Sequence, residues 1–376
     1  MYPALTVLRA LEADKVPLTV LWVGRKGGME ADLVKRAGIQ FKAILAAGVH
    51  NVGWRALPGN IQRLVRGFFS SLNIIKQFKP DVFLFTGGYV AVPMALASRV
   101  KRNTSGKKFP SLLFTPDIEP GIAIKLLSYL SSRVAVPVEE SRAYFSHRRN
   151  NRISVTGYPT RLEYSKWDHE SGRKALRLLR NIPILLIFGG SRGARSINRA
   201  LLKILPALLD RFQIIHITGQ FDWKEVQTRL KNLKTHPNWN HYHVFPYLHE
   251  EMGAALACAD LVVSRAGASC LGEYPFFGLP AILVPLPQTW RYQYVNAEYL
   301  QKHNAAILLE DHEMETRMPT LIEELFNNPE RLENMRQNMK KLSHPQAPRQ
   351  IACLVRELGG QDETCRHKTE QRERAL

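Results

Sequence analysis

Three stretches of the chain combine residue types that bind anions and hydroxyl groups. The first is Phe188-Gly189-Gly190-Ser191-Arg192-Gly193-Ala194-Arg195, which follows an apolar run and leads into a helical period through Ile197–Leu209. Glycine lets a backbone approach a phosphate closely, and a helix start offers unpaired N–H groups and the positive end of a dipole. A helix beginning near Ser191 would let that hydroxyl act as its cap or donate to a phosphate oxygen. The spacing is neither a Walker loop nor GxGxxG, and an ordinary tight strand-to-helix turn also fits it. The second stretch is Ser264-Arg265-Ala266-Gly267-Ala268-Ser269-Cys270-Leu271-Gly272-Glu273. A helix start at Ala268–Cys270 makes another anion site, with Glu273 one turn further, where a carboxylate would accept from both hydroxyls of a ribose. Positive potential for a pyrophosphate beside an acceptor for a diol suits a nucleotide. The alternative for Glu273 is a surface residue balancing a helix dipole. The third stretch runs Pro285-Leu286-Pro287-Gln288-Thr289-Trp290-Arg291-Tyr292-Gln293-Tyr294-Val295-Asn296-Ala297. Gln293 carries donor and acceptor together, which suits vicinal hydroxyls, whereas Tyr294 and Val295 read better as core.

These stretches follow apolar, β-prone runs, and the pattern of run, glycine-rich turn and helix repeats along the chain. Leu18–Val23, Asp81–Phe85, Ser111–Phe114, Arg133–Val136 and Ile153–Thr156 read as strands of a first series. Ile184–Phe188, Ile214–Thr218, Leu261–Ser264 and Ala281–Val284 form a second. Strands alternating with helices imply parallel sheets with right-handed crossovers. The expected fold is α/β, with two Rossmann-type doubly wound domains facing a cleft. Ligands then bind beyond the carboxyl ends of the strands, where each glycine-rich turn lies. The boundaries read as 1–160 for the first domain and 161–345 for the second. Residues 346–360 read as a helix crossing back to the first domain, and 361–376 as a polar tail.

The length of 376 residues suits two cores, and 45% apolar residues is ordinary for a globular chain. No apolar run reaches the roughly 18 residues of a membrane span. Met1–Ala10 lacks the basic start and apolar core of a signal peptide. Cys258, Cys270, Cys353 and Cys365 are far apart with no CxxC pair, which argues against a zinc site or disulfide framework and for a reducing cytosol. The net charge of +19 is uneven, since residues 1–165 hold 24 Lys and Arg against 10 Asp and Glu. Such an excess points to an anionic partner for that half. A nucleic acid is not expected, because no nucleic-acid-binding signature accompanies the charge. Within that half, Ile61, Leu64, Val65, Phe68, Phe69, Leu72 and Ile75 recur at helical spacing over Asn60–Lys79, with Arg63, Arg66 and Lys76 interleaved. Two readings stay open there, a helix lying in a lipid interface and an amphipathic helix facing a core.

Taken in order and at their spacings, these motifs resemble the family-28 glycosyltransferases, from Met1 to about Leu358. Tyr2-Pro3-Ala4-Leu5, Gly28-Met29-Glu30-Ala31-Asp32-Leu33-Val34, Lys79-Pro80-Asp81-Val82, Gly87-Gly88-Tyr89-Val90 and Gly157-Tyr158-Pro159-Thr160-Arg161 carry the resemblance besides the three stretches above. It implies a GT-B-like fold and transfer of N-acetylglucosamine from UDP-GlcNAc, with inversion. The acceptor would be the C4 hydroxyl of the muramyl unit of an undecaprenyl-pyrophosphoryl-muramyl-pentapeptide. The enzyme would act on an anionic membrane surface, peripherally, at the cytoplasmic face of the bacterial cell membrane, with no metal and no cofactor. By the same resemblance, Arg161 and Ser191 meet the pyrophosphate and Leu248 gives uracil a backbone contact. Ala268, Ser269, Cys270, Leu271, Gly272 and Glu273 hold phosphate and ribose, and Gln293 the GlcNAc hydroxyls.

Two departures from the family pattern bear on the acceptor. Met1 aligns with a valine that, in the family, follows a first strand, a Gly-Gly-Thr-Gly-Gly-His loop and the proposed catalytic histidine. No catalytic residue is therefore expected within the chain as it stands, and a misplaced start is the expected reason. The family's His-Glu-Gln-Asn segment is also replaced, with Thr115 at the Glu position and Asp117 at the Asn position, where Asp117 would accept from an acceptor hydroxyl. These departures keep two alternatives in view: a related transferase with another lipid acceptor, and a non-catalytic protein that binds UDP-sugars.

Overall fold

The computed structural model describes residues 2–13, 17–25, 30–46, 57–103, 106–190, 193–231, 233–287 and 291–361. Contacts divide the chain into one unit of Met1–Pro159 with Gln346–Leu376, and another of Thr160–Pro345.

The first unit opens with helix α1 (Tyr2–Ala13), then β1 (Leu21–Arg25), α2 (Glu30–Arg36), β2 (Gln40–Ile44) and the long α3 (Leu57–Phe78). It continues through β3 (Phe83–Phe85), α4 (Ala91–Val100), β4 (Ser111–Phe114), α5 (Ile122–Leu130), β5 (Arg133–Val136) and β6 (Ile153–Val155). All its strand pairs are parallel. The strands form two sheets where the sequence suggests one: β1 pairs with β2, and β3-β4-β5-β6 form a four-stranded sheet. β4 is buried along its whole length, as a strand covered on both faces must be.

The helix foreseen over Asn60–Lys79 is α3, and it serves two environments. Ile75 near its C-terminal end is buried, and Phe68 and Leu72 pack against the core, while Ile61, Val65 and Phe69 stand exposed. At Gly67 the helix meets β2's exit so closely that a Cβ would lie 2.0 Å from the Leu45 carbonyl oxygen.

The second unit runs α6 (His169–Ala175), β7 (Ile184–Phe188), α7 (Arg195–Leu209), β8 (Gln213–Ile217), α8 (Trp223–Leu230), β9 (Tyr242–Phe245), α9 (Met252–Cys258) and β10 (Leu261–Ser264). It then runs α10 (Glu273–Phe277), β11 (Ala281–Leu283), α11 (Tyr292–Lys302), β12 (Ala306–Leu308), α12 (Met314–Phe326) and α13 (Pro329–Lys341). Its strands make one six-stranded parallel sheet in the order β12-β11-β10-β7-β8-β9. The chain thus winds outward from β7 in one direction and from β10 in the other. That leaves a switch point between these two neighbours. Every residue of β8, β10 and β11 is buried. A last helix, α14 (Ala347–Leu358), packs on α1 and β4, and Arg133 Nη1 reaches Glu357 Oε2 at 3.0 Å. Among the described residues no helix is long and apolar enough to cross a membrane.

Two buried polar groups inside β8 have their bonding satisfied. Gln213 accepts from Leu179 N at 2.6 Å and donates to Leu179 O at 2.9 Å. His216 stands between the Tyr242 hydroxyl, 2.6 Å from Nδ1, and Asn198 Oδ1, 2.9 Å from Nε2. The Asn198 amide nitrogen donates to Thr218 O and Asp222 Oδ2, so its oxygen accepts from His216 and the imidazole proton sits on Nε2. Burial lowers the His216 pKa to about 3, which keeps the ring neutral.

Candidate functional site

The carboxyl ends of β7 and β10 lie side by side, because Phe188 pairs with Ser264 in the parallel ladder. Gly189 and Arg265 therefore leave the sheet as neighbours. A Cβ on Gly189 would sit 2.2 Å from Ala194 Cβ, and one on Gly193 would sit 2.3 Å from Thr218 O. Gly190 and Gly193 have φ of +96° and +87°, and Gly193 N donates to Gly190 O at 2.9 Å. Only glycine accepts these conformations and approaches without strain.

This tight loop shifts the helix start that the sequence suggests. α7 begins at Arg195 with Ala194 as its N-cap, and no side chain bonds that cap. The left-handed φ at Gly190 and at Gly193 is not helical, and the described helix starts at Arg195, later than the start near Ser191 that the sequence suggests. Ser191 itself lies outside the described residues. The His216–Asn198 network lies beneath this loop, since Thr218 O and the Asp222 carboxylate, both bonded by Asn198, crowd Gly193.

After β10, Ala268–Leu271 form a 3-10 turn and α10 starts at Glu273. Glu273 is thus the first residue of its helix and not one turn into it. Cys270 and Leu271 are buried, so what the turn offers a ligand is backbone, while Ala268 and Ser269 are half-buried.

The Glu273 carboxylate is half-buried and its Oε1 accepts from the Tyr164 hydroxyl at 2.8 Å, so it is not a surface residue balancing a dipole. Loss of solvation raises its pKa; the Arg161 charge and hydrogen bonds from Tyr164 and Ser269 oppose that rise. Arg161 lies with its guanidinium 5.5 Å from the Tyr164 ring centre and donates to His249 O at 3.1 Å. A chain of contacts thus links the 248–249 loop after β9 to Arg161, Tyr164 and Glu273. Leu248 is buried there, which leaves its backbone as the group to meet a ligand.

Arg265 anchors the other side. Its Nη1 donates to Val284 O at 3.1 Å and Pro285 O at 3.2 Å and pairs with Asp311 Oδ1 at 2.5 Å; its Nη2 donates to Ser196 Oγ at 2.7 Å. One half-buried guanidinium so ties the exits of β10 and β11 to the first turn of α7. Gln293, in the first turn of α11, accepts from Leu286 N at 2.9 Å. A backbone N–H only donates, so the amide oxygen is the group that accepts from the Pro285–Pro287 loop. Gln288, Thr289 and Trp290 lie outside the described residues.

The sequence led to most of these positions, and the structure places Arg161, Leu248, Ala268–Glu273 and Gln293 in the second unit. Asp117 lies in the first, half-buried in the bend after β4, next to the fully buried Thr115. Tyr164 and the Arg265–Asp311–Ser196 cluster had no role in the sequence reading. Tyr164 sits in a polar stretch 109 residues from its partner, and only folding brings the two together. Among the described residues, no three His, Cys, Asp or Glu side chains converge as a metal would need.

The chain matches known proteins in sequence and in fold. The glycosyltransferase family 28 N-terminal domain matches residues 1–105 and the family's C-terminal domain residues 184–351. The chain belongs to glycosyltransferase family 28. Curated relatives of this family-28 chain carry the name UDP-N-acetylglucosamine–N-acetylmuramyl-(pentapeptide) pyrophosphoryl-undecaprenol N-acetylglucosamine transferase. One from Desulforamulus reducens is 34% identical over 371 residues, covering 95% of each chain. Another, from a Roseiflexus species, is 35% identical and covers 95% of this chain and 92% of its own. The crystal structure of Acinetobacter baumannii MurG superposes with a TM-score of 0.68 at 25% identity, over 94% of this chain and 95% of that one. The calicheamicin glycosyltransferase CalG4 shares the fold at 14% identity, with a TM-score of 0.66 over 96% of each. Two α/β units with parallel sheets make this a GT-B fold.

Proposed function

We infer that this family-28 chain transfers N-acetylglucosamine from UDP-GlcNAc to the C4 hydroxyl of the muramyl unit of undecaprenyl-pyrophosphoryl-MurNAc-pentapeptide, making lipid II. The observation that carries this reading is 33–35% identity over about 95% of the chain to enzymes named for that reaction. It is an inverting hexosyltransferase. The acceptor oxygen forms its bond to GlcNAc C1 from the face opposite the departing UDP, and the bond from C1 to the β-phosphate oxygen breaks.

In this reading the switch point between β7 and β10 receives the nucleotide. The Gly189–Gly193 loop and the turn at Ala268–Gly272 lay backbone N–H groups against the pyrophosphate, and Arg161 and Ser191 add donors. These groups stabilise the charge that develops as UDP leaves, which is the main electrostatic task in such a displacement. Glu273 accepts from the ribose hydroxyls, Leu248 meets uracil through its backbone, and Gln293 binds GlcNAc hydroxyls. Tyr164 holds the Glu273 carboxylate in place. Asp117, in the first unit, accepts from a hydroxyl of the acceptor.

The lipid-linked acceptor requires a membrane surface, and the first unit offers one. On α3, Ile61, Val65 and Phe69 are 49%, 48% and 63% exposed, with Arg63 and Arg66 exposed between them. Ile122, Leu126 and Tyr129 are exposed on α5, which packs on α4, itself packed on α3. Apolar side chains among cations suit the interface of an anionic leaflet, where each basic residue contributes about 1 kcal/mol. The protein would sit peripherally on the cytoplasmic face of the membrane. Val65→Asp with Phe69→Asp is expected to abolish co-sedimentation with anionic vesicles at low salt and leave UDP-GlcNAc binding intact. A variant that sediments like its parent removes the membrane reading.

The transfer reaction is tested with labelled UDP-GlcNAc and the lipid-linked muramyl-pentapeptide. Label is expected to move to the lipid fraction, and labelled UDP-glucose to transfer far less. Nucleotide binding without transfer to this acceptor would favour the related-transferase alternative, which the altered Thr115–Glu119 segment supports.

A further inference from the structure

Asn198 is buried in the first turn of α7, and both ends of its amide are bonded. Its Nδ2 donates to Thr218 O and to Asp222 Oδ2, each at 2.9 Å, and its Oδ1 accepts from His216 Nε2 at 2.9 Å. The two acceptors that it bridges are the two atoms a Cβ on Gly193 would meet first. One carboxamide therefore sets the floor under Gly193, holding the turn after β8 against the start of α7. An amide oxygen cannot face two acceptors, so Asn198 has one orientation and His216 one tautomer, with its proton on Nε2. Nδ1 is then an acceptor, and the Tyr242 hydroxyl, 2.6 Å away on the neighbouring β9, donates to it. Tyr242, His216, Asn198 and Asp222 are all buried, and a buried network with every member satisfied has a single arrangement. Sheet packing does not call for it. The other inner residues of β8 are Ile214, Ile215 and Ile217, and an aliphatic side chain at 216 would avoid the cost of burying an imidazole.

We propose that Tyr242 and His216, acting through Asn198, are positioning residues for the donor's pyrophosphate: a relay of hydrogen bonds running one way that fixes where the loop through Gly190 and Gly193 meets the phosphates. The inference rests on the reading that this loop receives the pyrophosphate. The relay starts on β9, whose exit leads to Leu248, and crosses β8 to the loop that follows β7. It so fixes the spacing between the backbone that meets the base and the loop that meets the phosphates, which suits a nucleoside diphosphate. Because burial keeps His216 neutral, the direction of the relay stays the same across the neutral pH range.

The test measures UDP and uridine binding to the full chain by competition against a fluorescent UDP derivative. The ratio of their dissociation constants isolates what the two phosphates contribute. His216→Phe keeps a ring and removes both nitrogens; it is expected to weaken UDP at least tenfold and uridine less than twofold. His216→Gln returns a donor to Asn198 and should bring UDP affinity back to within threefold of the parent. Tyr242→Phe deprives Nδ1 of its donor and should weaken UDP at least threefold, again sparing uridine. Equal weakening of both ligands, or a glutamine variant that binds like the phenylalanine one, would leave the network a purely structural role and overturn the proposal. Should His216→Phe fold poorly, Tyr242→Phe decides, and a parental ratio of UDP to uridine affinity in that variant overturns it. A parent that binds uridine as tightly as UDP would sink the pyrophosphate reading of the loop itself. A parent that gains from the phosphates, with His216→Phe keeping the whole gain, would sink only the relay.

Discussion

The two units use one architectural rule with different results. In the second, β7 and β10 are hydrogen-bonded neighbours, so the glycine loop and the Arg265–Glu273 segment leave the sheet side by side. In the first, β1 and β3 line a common slot without pairing to each other, and the sheet is divided in two. The lesson is that a switch-point site depends on the inner pair of strands. Where the pair is closed, tight loops and buried networks accumulate at its carboxyl end. The Arg265–Asp311–Ser196 cluster and the His216–Asn198–Asp222 network both lie in the closed sheet's unit.

Removing the anchor should separate the units most strongly. Arg265→Ala takes one partner from a partly buried ion pair and removes its hydrogen bonds to Val284 O, Pro285 O and Ser196, and is expected to destabilise the second unit by about 2–4 kcal/mol, below the cost of breaking a fully buried pair. Amide exchange should then accelerate across β10, β11 and α7 while the first unit's strands keep their rates. Uniform acceleration through both units would contradict the division.

The next effect is on the ligand. Glu273→Ala is expected to weaken UDP-GlcNAc binding by roughly 1.5–3 kcal/mol, the loss of hydrogen bonds to a charged group. Because the Glu273 pKa is raised, parent affinity should already fall at a pH above the ordinary carboxylate range as the acceptor gains a proton. Glu273→Gln should flatten that dependence. An unchanged dissociation constant in both variants would remove Glu273 from the ribose.

Acid offers a comparable probe without any substitution. The folded His216 pKa is about 3, below the unfolded value of 6.5. Between these values the unfolded chain binds a proton that the folded unit does not, so stability falls as pH falls. The penalty grows by about 1.4 kcal/mol per pH unit, reaching about 2 kcal/mol at pH 5. Denaturant melts at pH 7 and pH 5 should show this loss in the second unit, and His216→Gln should reduce it. The smallest effect is Tyr164→Phe, which loses one hydrogen bond and should weaken nucleotide binding by about 1 kcal/mol, with less effect at low pH where Glu273 is protonated.

How much of this was legible depends on what a strand's surroundings leave in the sequence. β4, β5, β7 and β10 have the bounds that their apolar runs suggest, because strands in a covered parallel sheet read as continuous hydrophobic segments. β2, β9 and β12 were not legible. Each ends its sheet, and Gln40, Lys42 and His243 dilute two of them. The split of the first sheet was invisible as well, since pairing is a long-range property. At the site, Gly189–Gly190 and Glu273 stood out by type and spacing. The start of α7 did not, because residue order does not display the left-handed φ at Gly190 and Gly193. Tyr164 and Arg265 act through contacts tens of residues distant, and no local pattern announces them.

The central claim is that the nucleotide site belongs wholly to the second unit. It is tested most directly by calorimetric titration of UDP-GlcNAc, UDP and ADP-glucose into the full chain and into a fragment of residues 160–345. The account predicts that the folded fragment binds UDP-GlcNAc and UDP as tightly as the full chain does, and ADP-glucose far more weakly. A folded fragment that fails to bind UDP, or binds ADP-glucose equally well, would contradict it.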